Sequence, residues 1–298
     1  MKKITFFTTL TVILMLAASF GQNQSKTAQS TVLTPTTIGE FVTPATYEEL
    51  EDEEDFDGTY MYRPDPKGKY YHFETFVSDG DTQWDAYWMY EEKFTATSTL
   101  APSGNIRYDA KNLQNAKFTG EDSYRSNNHG GNREVTWCEG VKGYGIGERV
   151  TMSVRTRAEF VGKEDEICFW ALMIVNGYAK NETTWKNNTR VKVLRLYVGG
   201  NYWCDLHLQD IIKPQIFELP KHLKIYPGKV GKKIPEKGAF SRPYWDYSEN
   251  SEGSVYHSPK IPVFQTDLTF EIIEVYPGDK YDDTCITGIA LNTSGGIY

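Results

Sequence analysis

Beyond its first twenty residues the chain lacks any apolar run long enough to cross a lipid bilayer. At the N-terminus, Lys2 and Lys3 precede an apolar stretch at residues 4–18 that only threonines interrupt. Ser19 and Gly21 then supply the small residues of a cleavage site. This pattern predicts a secretory signal peptide over residues 1–21, with an uncleaved N-terminal anchor as the alternative. We therefore expect an exported protein, either periplasmic or secreted, with no membrane span in the processed chain.

The chain also lacks a basic stripe. Its 32 Lys and Arg residues stand against 40 Asp and Glu residues, and eight of these acids fall within residues 48–57. The lack of a cluster of positive charge argues against a nucleic-acid partner, and we expect none. Residues 22–57 are rich in Ser, Thr and Gln before the acidic run, so we predict a disordered acidic linker there.

Recognisable catalytic motifs are missing. The sequence contains neither a Gly-x-Ser-x-Gly elbow nor a His-Glu-x-x-His motif, and its five histidines are scattered. Carboxylate pairs exist at Asp282 with Asp283 and at Glu139 with Glu148. Adjacent acids in an extended segment point to opposite sides, however, and do not face each other across a sugar. We predict no catalytic residue, and a glycan-acting enzyme remains the less favoured alternative.

Cysteine is scarce. The four residues Cys138, Cys168, Cys204 and Cys285 show no C-x-x-C spacing, which argues against a zinc site. In an exported protein they can form disulfides, and four cysteines allow three pairings. The spacing alone does not choose between these pairings and buried free thiols.

Helical periodicity is almost absent as well. Residues 48–54 are the one segment that could be argued as a helix, and they lack an apolar stripe. Residues 150, 152 and 154 alternate apolar side chains with polar ones, and residues 167–175 form a continuous apolar run suited to a strand buried on both faces. Further apolar segments occupy 191–198, 202–208, 216–219, 268–276 and 284–291. The chain is therefore predicted to be all-β, as a sandwich or jelly roll.

Two regions flank or interrupt this predicted sandwich. Residues 58–93 alternate aromatics with turn signals and predict a small N-terminal β-hairpin extension. Residues 220–266 lack periodicity and are interpreted as an insertion carrying a short hairpin around Tyr244–Tyr256.

Three loops combine aromatics, amides, acids and glycines. They cover residues 137–148 with the run Gly-Tyr-Gly-Ile-Gly-Glu, residues 176–190 with Asn-Gly-Tyr-Ala-Lys and Asn-Asn-Thr-Arg, and residues 275–284 with Tyr-Pro-Gly-Asp-Lys-Tyr-Asp-Asp-Thr. In this order, and with the opening segment 96–104 followed by Tyr108, these runs resemble the NADase-type glycan-binding domain. The resemblance implies a discoidin-like (galactose-binding-like) jelly-roll β-sandwich over residues 94–293, with a non-catalytic, carbohydrate-binding role.

The side chains of the three loops suit that role. Aromatic rings cover the apolar C–H faces of sugars, while amides, carboxylates and guanidinium groups match the hydroxyls. The candidate ligand-binding residues are Tyr144, Asn176, Tyr178, Trp185, Asn187, Asn188, Arg190, Tyr281 and Asp282. The alternative for each is that it only holds loop geometry. The alternative function is a protein-binding adhesion or scaffold domain of the same fold.

The sequence departs from the family pattern at two places. Residues 112–115 read Asn-Leu-Gln-Asn and are followed by an insertion at 116–134, and Gly288 replaces an acid in the last strand. The resemblance implies a structural calcium near both places, but calcium prefers several oxygen ligands and two are lost here. We expect no resident cofactor and no metal ligand, with a structural calcium left open. The identity of the glycan and the oligomeric state also remain open.

Overall fold

Regular alternation and short turns produce an all-β fold in the computed structural model. The structure describes residues 30–39, 70–72, 90–115, 130–132, 135–158, 161, 167–234, 244–246, 255–257 and 262–294. The predicted signal peptide, the acidic run at 48–57 and most of the 116–134 insertion lie outside these ranges. From Thr31 onward the described residues form one compact unit.

We number the strands of the described residues in chain order. They are β1 (Val32–Leu33), β2 (Thr37–Ile38), β3 (Tyr70–His72), β4 (Tyr90–Ala96), β5 (Gly130–Asn132), β6 (Trp137–Cys138), β7 (Arg149–Arg157), β8 (Cys168–Asn176), β9 (Thr189–Val198), β10 (Asn201–His207), β11 (Pro214–Glu218), β12 (Lys232–Ile234), β13 (Tyr244–Asp246), β14 (Val255–His257), β15 (Val263–Tyr276) and β16 (Thr284–Ser294). A 3-10 helix covers Ala110–Asn115, and two short α-helices are α1 (Glu182–Asn187) and α2 (Pro227–Val230).

The main strands form a jelly-roll β-sandwich. The strands follow one continuous hydrogen-bonded order, β2-β11-β8-β16-β9-β15-β7-β4, with β10 beside β9. Divided at the step from β16 to β9, this order gives two layers, β2-β11-β8-β16 and β9-β15-β7-β4. The two layers join where β16 runs parallel to β9 over two residue pairs, Thr284 with Thr189 and Cys285 with Arg190. One continuous apolar core draws side chains from both layers, including Phe169, Leu196 and Phe270. The predicted fold class is thereby confirmed.

Strand β8 is central, as its continuous apolar sequence predicts. It pairs with β11 on one side and with β16 on the other. Its side chains divide between two clusters: Leu172 and Ile174 enter the main core, while Met173 and Val175 pack on the outer side with Ile216. Burial on both faces explains why the segment shows no alternation.

Gly199 and Gly200 form the two-residue turn of a hairpin between β9 and β10. Both glycines have positive φ, at 57° and 84°, which a two-residue turn of this kind requires. A bulge shifts the register of β10 between Tyr202 and Cys204. Cys204 is buried, whereas Tyr202 is 38% exposed on the outer side.

Several predicted boundaries differ from the structure. Part of the predicted linker, residues 31–39, pairs with the sandwich through β1 and β2. The predicted extension at 58–93 is described only at 70–72 and 90–93. There β3 pairs with β5 rather than with a neighbouring hairpin strand, and β4 is an edge strand of the sandwich. Sequence periodicity missed these pairings because each segment is short and its partner is distant in the chain.

The insertion at 220–266 is also partly integral. Leu223 and Ile225 are buried in the core, and β12 pairs with the start of β15. The hairpin expected around Tyr244–Tyr256 is present as β13 and β14. The helices α1 and α2 were not predicted, because neither spans enough residues to show an apolar stripe.

Candidate functional site

The three predicted loops meet at one end of the sandwich. Loop 139–148 joins β6 to β7, loop 177–188 joins β8 to β9, and loop 277–283 joins β15 to β16. Their strand ends are adjacent: Tyr276 pairs with Arg190, Thr284 pairs with Thr189, and Gly177 bridges to Ile286. The fold thus places segments that are far apart in sequence next to each other.

The first and third loops are fastened together. Cys138 and Cys285 form a disulfide between the paired strands β6 and β16. The backbone N–H of Glu139 donates to the carbonyl of Thr284 at 3.0 Å, and the N–H of Thr284 donates to the Glu139 carboxylate at 3.2 Å. The Thr284 hydroxyl donates to the carbonyl of Tyr144 at 2.7 Å. These bonds fix the backbone of both loops.

Glu139 is the central buried acid of this arrangement. Its side chain is fully buried, and its second oxygen accepts the backbone N–H of Val141 at 2.8 Å. Burial raises the pKa of the Glu139 carboxyl, two backbone hydrogen bonds oppose the rise, and Asp283 and Glu148 add to it. A Cβ on Gly145 would lie 2.4 Å from Glu139 Cγ, so only glycine fits there.

The pKa values of two neighbouring groups, Asp283 and Tyr108, are also raised by burial and by nearby negative charge. Partial burial and then the adjacent Asp282 raise the pKa of Asp283. Burial and then Asp283 raise the pKa of Tyr108, whose ring makes an edge contact with Tyr178 at 6.5 Å. The loop end is therefore rich in carboxylates that repel one another.

Four of the nine predicted ligand residues are buried in loop architecture. Asn176 donates to the carbonyl of Val191 at 2.7 Å and accepts its N–H at 2.9 Å, so the amide pairs with backbone. Trp185 donates its indole N–H to the carbonyl of Asn176 at 3.1 Å. Tyr178 packs beside the disulfide and is 6% exposed. For Asn176, Tyr178 and Trp185 the structure favours the alternative of holding loop geometry, because their polar atoms or ring faces are occupied inside the fold.

Arg190 is the fourth. Its guanidinium makes a two-point contact with Asp210 at 2.9 and 3.0 Å and lies 4.5 Å over the Trp185 ring. The remaining nitrogen donates to the carbonyls of Lys186, Asn188 and Pro277. Arg190 therefore ties the second loop to the third, and its fork faces protein rather than solvent.

The two asparagines at the C-terminal end of α1, Asn187 and Asn188, are half-buried. The Asn188 amide donates to the carbonyl of Thr184 at 2.7 Å and caps the end of the helix. The carbonyl of Asn187 accepts the N–H groups of Lys280 and Tyr281. A Cβ on Gly278 would lie 2.6 Å from that carbonyl oxygen, which explains the Pro-Gly turn.

The predicted residues that do face solvent lie on the first and third loops. Tyr144 and Tyr281 are each 42% exposed, and Asp282, the residue after Tyr281, is also exposed. Lys280 places its ammonium 4.9 Å from the centre of the Tyr281 ring. Sequence reasoning missed two neighbours, Val141 and Ile146, which are 39% and 57% exposed. Their aliphatic character inside a glycine-rich loop was the available signal. We call Val141, Tyr144, Ile146, Tyr281 and Asp282 the loop surface.

The positions considered for calcium have other roles. The Asn112 amide donates to the carbonyls of Arg107 and Thr136, at 2.6 and 2.8 Å. Gly288 lies within β16 opposite Val175. In the part of the chain that the structure describes, no three His, Cys, Asp or Glu side chains are grouped as metal ligands would be.

The fold and the exposed loop end define a discoidin-like β-sandwich module. The chain belongs to the family described as the NAD glycohydrolase translocation F5/8 type C domain, whose model matches residues 87–292. Comparisons with curated proteins and with solved structures give no match. Among the residues described, no helix combines the length and apolar character needed to span a membrane.

Proposed function

We propose that this chain is an exported, non-catalytic module whose loop surface binds carbohydrate. The observation that supports this most directly is the exposure of Tyr144 and Tyr281 on two loops that a disulfide and hydrogen bonds hold together. Of the seven large hydrophobic side chains exposed in the described residues, four lie on these two loops: Val141, Tyr144, Ile146 and Tyr281. Exposed apolar side chains that cluster mark a binding surface.

The chemistry of the loop surface fits a sugar. A tyrosine ring offers a flat apolar face for sugar C–H groups, and its hydroxyl both donates and accepts. The Asp282 carboxylate is exposed beside Tyr281 and accepts hydroxyl hydrogen bonds. Because the loop backbone is already fixed, little conformational entropy is lost when a ligand binds.

A glycan array with the purified protein, followed by calorimetry on the best ligand, tests this proposal. Replacing both rings, Tyr144→Ala with Tyr281→Ala, should weaken binding at least tenfold. Tyr202→Ala is the matched control, since Tyr202 is a 38% exposed tyrosine on β10 outside the loop surface. Binding that survives in the ring variant, or falls equally in the control, would rule out the loop surface as the site.

Protein binding is a second candidate, favoured by the aliphatic side chains Val141 and Ile146 beside the rings. Sugars gain little from exposed aliphatic groups, whereas protein interfaces use them. Val141→Ser with Ile146→Ser separates the two functions. If the ligand is a protein, this variant should lose binding to it. If the ligand is a glycan, its affinity should fall far less than in the variant that lacks both tyrosine rings.

A further inference from the structure

The segment of residues 31–39, which we call the strap, closes the open side of the sandwich. Its first half, β1, pairs in parallel with β10 at the edge of one layer. Its second half, β2, pairs antiparallel with β11 at the edge of the other layer. Strands β10 and β11 would otherwise have unpaired edges at these positions.

The strap spans the two layers within a short length of chain. Only residues 34–36 separate β1 from β2. Leu33 and Thr37 are four residue steps apart, so at about 3.3 Å per extended residue the crossing can span about 13 Å, enough for the roughly 10 Å between packed sheets. Pro35 lies in the crossing and has no N–H to leave unpaired. The strap therefore fits both edges at once.

Backbone hydrogen bonds hold most of the strap. The N–H of Asp205 donates to the carbonyl of Thr31, the N–H of Thr36 donates to Ile216, and the N–H of Gly39 donates to Pro214, each at 2.8 Å. Leu33 is the strap side chain that packs against the main core, and Val32 is 47% exposed. An element with few buried side chains opens more readily than the core.

The strap lies outside the part of this chain that the family model matches, which begins at residue 87. The two edges that the strap covers belong to strands inside the matched range. About 50 residues separate the strap from β4, the first strand of the matched range. A connection of that length allows the strap to reach its own sandwich or that of a neighbouring molecule.

We propose that the strap is exchangeable. It detaches from the edges of β10 and β11 without unfolding the sandwich, and these two edges then pair with the strap of a second copy of this chain. A second copy is the occupant because its strap carries the sequence whose pairing register is seen here. Exchange between identical chains replaces every contact it breaks, which makes it a low-cost route to a dimer. Bare sheet edges favour strand addition of this kind.

Hydrogen exchange on the wild-type protein tests the release step. The amides of Thr36, Gly39 and Asp205 should exchange at least tenfold faster than the amide of Ile272, which donates to Glu148 within the sandwich. Equal protection would show that the strap opens only when the whole sandwich unfolds, and would overturn the proposal.

Cross-linking tests the exchange step. Thr37 and Ile216 lie opposite each other in the β2–β11 pair, so Thr37→Cys in one copy and Ile216→Cys in another should form a mixed disulfide when the two are co-incubated under mild oxidation. Thr37→Cys mixed with Ser103→Cys is the negative control, because Ser103 lies on an exposed loop. The double variant in one chain verifies that the pair can bond and that the protein folds. An internal disulfide there, with no mixed dimer between copies, would show that the strap stays on its own sandwich.

Discussion

Cys138 and Cys285 are paired residues on β6 and β16, and their disulfide stands at the base of both loops that expose tyrosine rings. Glu139 follows one cysteine and Thr284 precedes the other, and these two residues exchange hydrogen bonds. The covalent link and the hydrogen bonds therefore act at the same point.

Removing that link tests how the loop surface is held. The disulfide closes a separation of 147 residues, and loss of such a bond costs about 2–5 kcal/mol in stability. The double variant Cys138→Ser with Cys285→Ser should therefore have an unfolding free energy lower by that amount, measured by urea titration. Its transition midpoint should move to a lower urea concentration. Under conditions where the variant is still folded, affinity for the array-selected glycan should also fall. Unchanged affinity would show that the hydrogen bonds alone position the loops.

Arg190 connects the second and third loops by charge and geometry. Arg190→Lys keeps the charge but loses the two-point contact with Asp210, most of the bonds to loop carbonyls and the stack on Trp185. We expect a loss of about 2–3 kcal/mol in unfolding free energy, because a buried guanidinium is being replaced. The matched control is Arg149→Lys, since that side chain is 48% exposed. The control should change stability by no more than about 0.5 kcal/mol; similar losses in both variants would contradict a special role for Arg190.

The contrast between Arg190 and Tyr144 shows what the sequence could and could not establish. Alternation at Val150 and Val154 and the apolar run of β8 were sufficient to predict the sandwich, because burial imposes a period on the sequence. Loop composition predicted which loops form the candidate site. It did not distinguish an arginine that faces solvent from one whose guanidinium is hydrogen-bonded inside the protein. That distinction depends on Asp210 and the carbonyl of Pro277, which are distant in sequence.

The strap shows the same limit at the level of pairing. Residues 31–39 lie in a stretch of Ser, Thr and Gln whose composition predicts disorder, and two-residue strands are too short to show a period. Their pairing is decided by the free edges of β10 and β11, which exist only after the sandwich has formed.

The buried carboxylate of Glu139 gives a pH dependence whose sign follows from its raised pKa. The folded state binds this proton more tightly than the unfolded state, whose pKa stays near the ordinary value of 4.5. The proton therefore stabilises the fold fully below that value, and this contribution is lost as pH rises through the folded-state pKa. Partial burial and Asp282 raise the pKa of Asp283, which acts in the same direction.

Comparison with Glu139→Gln isolates that contribution, because glutamine is neutral at every pH. Relative to this variant, the wild type should be most stable at or below pH 4.5 and should lose stability as pH rises above it. Denaturant titrations at a series of pH values measure the difference. Glu218→Gln provides the control, since Glu218 is an exposed acid away from the loop end. A difference that is flat with pH, or that grows in favour of the wild type, would contradict the raised pKa.

The two remaining cysteines give a prediction that needs no substitution. Cys168 and Cys204 are buried and lie outside the disulfide, and burial raises the pKa of the Cys204 thiol to about 12. Only a thiolate reacts readily with a disulfide reagent, so a thiol that is both inaccessible and protonated is inert. In the native protein we expect no reaction with a thiol-specific reagent at neutral pH over an hour. Unfolding without reductant should release two reactive thiols, and unfolding after reduction should release four. Any reaction of the native protein, or four thiols without reductant, would contradict the observed pairing of Cys138 with Cys285 and the burial of the other two.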